Sequence, residues 1–336
     1  MEHKIKHIIL YTLLTLITAS FGITSLISNI FDGSTLYILL ASLVGIVCFI
    51  SILNIETIKI KELLNNTFIK LICIIYLIFS LIYYLSILGI LINNLFYTVT
   101  PITITTSLII IFIIILSINK NIININLFFI LGLICFTFLT FFMFLFPMNN
   151  LKLQIINIDY SSIYLYSYSI LIIDFIFYKF YFSSSYDKNS IKSFVISSII
   201  SLTLLLFFTF LDLTITRIDY ANTPFKNILK YQLVLPNVSV YFDLLYLFIV
   251  VVTLTFKIII FGDNLRIFLM CKKNTKSFFI LYFVIFLISN TLVNQVKNET
   301  SYLYTLLSII ICFSLILLVL LGGMKIVKRI YKFTKR

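Results

Sequence analysis

Ten apolar stretches of roughly twenty residues recur along this chain, at about 8–31, 35–55, 68–92, 102–118, 127–146, 161–182, 193–212, 240–261, 278–294 and 302–322. An α-helix needs about twenty apolar residues to cross the hydrocarbon core of a bilayer. Lipid gives backbone N–H and C=O groups no partner, so each stretch is expected to be helical. The fourth and ninth are the shortest, at seventeen residues. Composition leaves little alternative. The 336 residues are 61% hydrophobic and only 11% charged, where a soluble domain carries about 25% charged residues. The expected fold is therefore one all-α polytopic membrane domain of about ten transmembrane helices, with no separate soluble unit.

The net charge of +13 would suggest nucleic acid on a soluble protein. Here the positions of the charges point to the lipid bilayer instead, and no nucleic acid partner is expected. Lys325, Lys328, Arg329, Lys332, Lys335 and Arg336 crowd the last twelve residues, as in a cytoplasmic anchor against anionic lipid. With the N-terminus inside, twenty of the 25 Lys and Arg residues fall on the inner side, Lys257 being counted with the segment after the eighth stretch. Only Lys152, Arg217, Lys226, Lys230 and Lys297 fall outside. That bias predicts ten spans with both termini cytoplasmic. The stretch from Ile8 to Phe31 follows Lys4 and Lys6 but exceeds a signal-peptide core, so it is read as a membrane helix.

The longest outside segment is 213–239. Within it Pro224 to Leu235 is predicted as a short interfacial helix, with Thr223 as N-cap and Pro224 at its first position. Phe225, Ile228, Leu229 and Leu233 would form its apolar face.

Enzyme signatures are missing. No Walker A sequence, GxGxxG or GxSxG is present, and His3 and His7 are the only histidines. Neither catalysis nor a cofactor or metal site is expected. Cys48, Cys73, Cys135 and Cys312 lie in apolar stretches, where small buried hydrophobes are expected, and Cys271 lies in a loop.

The candidate site residues are polar groups inside spans. In the first stretch Gly22 sits among Ser20, Thr24, Ser25 and Ser28. A mid-span glycine with hydroxyls around it suits either a helix break, whose freed backbone the hydroxyls satisfy, or close packing of small residues. In the sixth stretch Asp174 is the one acid well inside a span, with Ser167 and Tyr178 on the same helical face. A carboxylate there has to face a polar cavity or a partner. The third stretch offers Tyr83 and Tyr84. The eighth offers Thr253 and Thr255, then Lys257 toward its inner end. For these the competing reading is helix packing.

Ten spans with cytoplasmic ends suggest the arrangement of amino-acid/polyamine/organocation transporters. That is a LeuT-like 5+5 inverted repeat in which helices 1 and 6 are discontinuous at the substrate site. Particular residues carry a narrower resemblance. Gly22, Thr24, Ser25, Leu26 and Ser28, the acid Asp174, and the run Thr223-Pro-Phe-Lys-Asn-Ile-Leu-Lys230 leading through Leu233 to Asp243-Leu-Leu245 resemble the B subunit of spore-germinant receptors. The family's usual proline after the first-helix motif is missing, as are its "LLP" and glycine before the sixth helix. The resemblance implies a membrane subunit in the spore inner membrane that works with an A subunit and a lipoprotein C subunit. It also implies a small, amino acid-like nutrient bound between helices 1, 3, 6 and 8. Two other functions compete with it: a working amino-acid transporter of the same fold, and a cell-envelope polysaccharide polymerase or flippase. Against the polymerase, the longest outside segment carries one arginine, Arg217.

Overall fold

The computed structural model describes residues 64–96, 102–118, 173–174, 176–177, 180, 232–235, 238–270, 275–294 and 299–334. The first, second, fifth and seventh apolar stretches lie outside these residues. So do Gly22, Thr24, Ser25 and Ser167.

The described chain is helical apart from one small hairpin. In order it forms α1 (Thr67–Phe96), α2 (Ile102–Ile118), β1 (Gln232–Leu235), β2 (Val238–Tyr241), α3 (Phe242–Phe268), α4 (Thr275–Asn294) and α5 (Glu299–Thr334). Residues 173, 174, 176, 177 and 180 are also helical. The helices α1 to α5 lie on the third, fourth, eighth, ninth and tenth apolar stretches. Two segments, Thr67–Ile90 and Thr305–Gly323, are long and apolar enough to cross a membrane.

Local sequence sets the helix ends. Asn66 caps α1: its Oδ1 accepts from the backbone N–H of Phe68 at 3.1 Å and of Ile69 at 3.3 Å, which occupies donors that the first turn cannot pair internally. At its far end α3 stops at Met270, which adopts φ 57°, a left-handed conformation that terminates a helix.

β1 and β2 pair antiparallel, with Gln232 opposite Tyr241 and Leu235 opposite Val238. This corrects the expected interfacial helix at its end, since residues 232–235 are strand. Val234, Val238 and Val240 are β-branched, a residue type that favours strand over helix. Leu233, expected on the apolar helix face, is paired with Val240.

α1 is the centre of the bundle and touches all four other helices. Every residue from Leu81 to Ile90 is buried, so the helix is covered on all sides. Phe79 stacks on Phe313 of α5 at 6.0 Å, and Ser86 Oγ meets Ser289 Oγ of α4 at 3.4 Å. The outer helices carry their apolar residues outward. On α4, Phe279, Ile280, Phe283, Val284 and Leu287 are exposed, while Tyr282, Ile285 and Ser289 are buried. On α2, Ile104, Leu108, Ile111 and Ile115 are exposed, while Thr106 is buried. Apolar side chains thus line both the outer and the inner faces of these helices, with a few polar groups among the buried ones. Hydroxyls in such surroundings satisfy themselves locally: Ser107 donates to Ile104 O, Thr255 to Val251 O and Ser314 to Ile311 O. Cys73 is buried as expected, whereas Cys312 is exposed on α5.

Candidate ligand site at a buried charge pair

Asp174 is buried and bound on both carboxylate oxygens. Lys257 Nζ of α3 lies 2.5 Å from Oδ2, and the Tyr76 hydroxyl of α1 donates to Oδ1 at 2.5 Å. The lysine ammonium also donates to the Tyr84 hydroxyl oxygen of α1. It lies 3.8 Å from the Tyr84 ring centre and 5.3 Å from that of Phe261. Three segments thus converge on one neutral ion pair. Tyr76 and Tyr84 are the tenth and eighteenth residues of the 24-residue span Thr67–Ile90, so the pair lies near the middle of α1.

Helix geometry explains the convergence. Tyr76, Ser80 and Tyr84 are spaced by four, which lines them up along one strip of α1. Lys257 and Asn264 are two turns apart on α3 and both turn toward the helical segment of Asp174. Asn264 Nδ2 donates to Phe177 O at 2.9 Å and to Ile260 O at 3.0 Å. The Asp174 segment is therefore tied to α3 twice, by the ion pair and by an amide one turn further along.

Aromatic side chains close the surroundings. Phe177 stacks on Tyr76 at 5.6 Å and meets Phe261 and Phe268 edge-on at 6.0 and 5.9 Å. Tyr84 meets Phe261 edge-on at 5.9 Å. In this apolar shell the attraction between opposite charges is weakly screened, and one charge left without the other would be costly.

Among the described residues two buried side-chain atoms, Ser80 Oγ and Asn264 Oδ1, have no hydrogen-bond partner. Toward the end of α3, Asp263 and Arg266 form a second buried pair at 2.8 Å. Among the described residues no three His, Cys, Asp or Glu side chains gather as a metal site would require.

Of the residues singled out in the sequence, Asp174 and Tyr84 are in this cluster. Tyr83 is buried beside it, its ring edge-on to Tyr84 at 5.3 Å. Thr253 is a helical residue of α3. Sequence reasoning missed Tyr76, Ser80 and Asn264, and it set Lys257 toward the inner end of its span. Lys257 is instead the sixteenth residue of the 27-residue helix α3 and is buried, which removes it from the tally of loop charges. The available signals were the Tyr-Ser-Tyr spacing of four and the rule that an intramembrane acid takes a partner. The chain matches no family model and no curated protein.

Proposed function

We propose that this chain is a multi-pass membrane protein of the 5+5 inverted-repeat kind, with cytoplasmic termini, and that it serves as the nutrient-binding B subunit of a spore-germinant receptor. One observation carries the reading. The resemblance puts a ligand between helices 1, 3, 6 and 8, and residues of the third, sixth and eighth apolar stretches meet at the buried Asp174–Lys257 pair. Buried intramembrane charges mark ligand or ion pathways by default.

The ligand would enter between the first helix, at Gly22, Thr24 and Ser25, and the charge pair. An A subunit and a lipoprotein C subunit would complete the receptor.

The test uses spores whose only copy of this chain carries Asp174→Asn. The substitution keeps shape and removes charge. Its nutrient dose response should move at least tenfold to higher concentration at normal protein level. An unchanged dose response at normal level would overturn the reading. Uptake of labelled amino acid into vesicles holding the intact chain separates this function from transport by the same site.

A further inference from the structure

The enclosure of Lys257 Nζ has the makeup of an ammonium-binding site. It offers a carboxylate oxygen at 2.5 Å, a phenol oxygen, and two aromatic rings with centres at 3.8 and 5.3 Å. Carboxylates and aromatic faces are the groups with which proteins recognise alkylammonium ions. None of these contacts depends on the lysine stem; they bind the terminal ammonium. The strip of α1 that carries Tyr76 and Tyr84 also holds a polar group that the pair does not use. Ser80 Oγ is fully buried and without a partner, one turn from both Tyr76 and Tyr84 on the same strip of α1.

We propose that Lys257 stands in for a ligand's ammonium, and that a zwitterionic ligand binds by splitting the pair. The ligand ammonium takes Asp174, and its carboxylate takes the displaced Lys257, with the Ser80 hydroxyl as a further donor. This rests on the nutrient-binding reading above. Charge accounting favours a zwitterion over a plain amine. A neutral pair and a zwitterion recombine into two neutral pairs, whereas an amine alone strands Lys257 as a buried cation without a counter-ion. Splitting the pair removes one of the polar ties between the Asp174 segment and α3, while Asn264 on Phe177 O and the Phe177 ring contacts with Phe261 and Phe268 stay in place.

Lys257→Ala tests this directly, because the atoms lost beyond Cβ are three carbons and a nitrogen, the heavy atoms of n-propylamine. The full chain, purified in lipid nanodiscs, is melted with buffered n-propylamine, n-propanol or neither. The variant should gain several degrees in melting temperature with millimolar propylamine and none with propanol. Wild type should need at least tenfold more propylamine for the same shift. Asp174→Asn combined with Lys257→Ala should respond to neither. A variant that accumulates in cells only when propylamine is in the medium supports the proposal equally. Equal responses to amine and alcohol, no response, or a wild-type response as strong as the variant's would overturn it. So would failure of Lys257→Ala to accumulate at any amine concentration, whether or not the charge-free Asp174→Asn, Lys257→Met double variant accumulates. Melting needs no germination assay. Amine rescue alongside a normal spore response in Asp174→Asn would therefore keep the ammonium-binding enclosure but reject both the receptor reading and the nutrient as its ligand.

Discussion

Gly262 of α3 lies so close against Tyr282 of α4 that its position has no room for a side chain. A Cβ at Gly262 would fall 2.0 Å from the Tyr282 hydroxyl oxygen and 2.6 Å from Cζ. The bare backbone lets the tyrosine reach across and donate to Ile258 O at 3.3 Å. Close approach of two helices over a glycine is a main source of packing energy in lipid, where no hydrophobic force drives them together. Gly262→Ala should therefore destabilise by about 1–3 kcal/mol, the usual cost of overpacking. Adding Tyr282→Leu should restore most of it. Adding Tyr282→Phe should restore less, because Cζ remains. Thermal unfolding in nanodiscs distinguishes the three, and an unperturbed Gly262→Ala would refute the fit.

The Asp174–Lys257 pair should behave as one unit. Removing either charge strands the other in an apolar shell, so Asp174→Asn and Lys257→Met should each cost about 3–5 kcal/mol. The double variant should cost well below the sum, since it leaves no uncompensated charge. A double-mutant cycle on unfolding free energy measures the coupling, and additive costs would mean the two side chains do not meet.

Asn264 separates a tie from a charge. Its Nδ2 binds two backbone carbonyls while its Oδ1 is unpaired. Asn264→Leu loses the tie but also removes the unpaired oxygen, for a net change of about 1 kcal/mol or less. Asn264→Asp places a carboxylate against Phe177 O and Ile260 O with no donor, and should be far worse. Melting temperatures should rank wild type near Asn264→Leu, with Asn264→Asp well below both.

Topology is open to cysteine labelling in a background without native cysteines. Lys226→Cys should react from outside, and Lys188→Cys and Lys273→Cys from inside. If positions 188 and 226 label from the same side, the ten-span arrangement fails.

Each long described helix lies on one of the apolar stretches: α2 runs Ile102–Ile118 over the fourth, while α5 runs on to Thr334, past the end expected at 322. The ends where polar residues continue a helix were less legible. α3 runs on to Phe268 through Gly262, Asp263, Asn264 and Arg266, which on paper look like an exit into a loop. Their burial and mutual pairing keep them helical. Residues 232–235 were misread for the opposite reason: apolar residues at helical spacing also alternate, and the pairing with Val238–Tyr241 decided for strand.

By itself the sequence determined that the described apolar stretches fold as helices and that Asp174 must find a partner among them, since both follow from the local cost of leaving backbone groups or a charge unpaired in apolar surroundings. It did not determine which cation answers Asp174. Lys257 lies 83 residues away, next to an apparent helix end, and nothing local distinguishes it from a loop lysine. Tyr76 and Tyr84 likewise look like two of 21 tyrosines. Only the packing of α1 and α3 around the segment of Asp174 selects these partners. A long-range pair is fixed by where helices cross, and crossing geometry depends on how whole side-chain surfaces interlock, as with Tyr282 over Gly262.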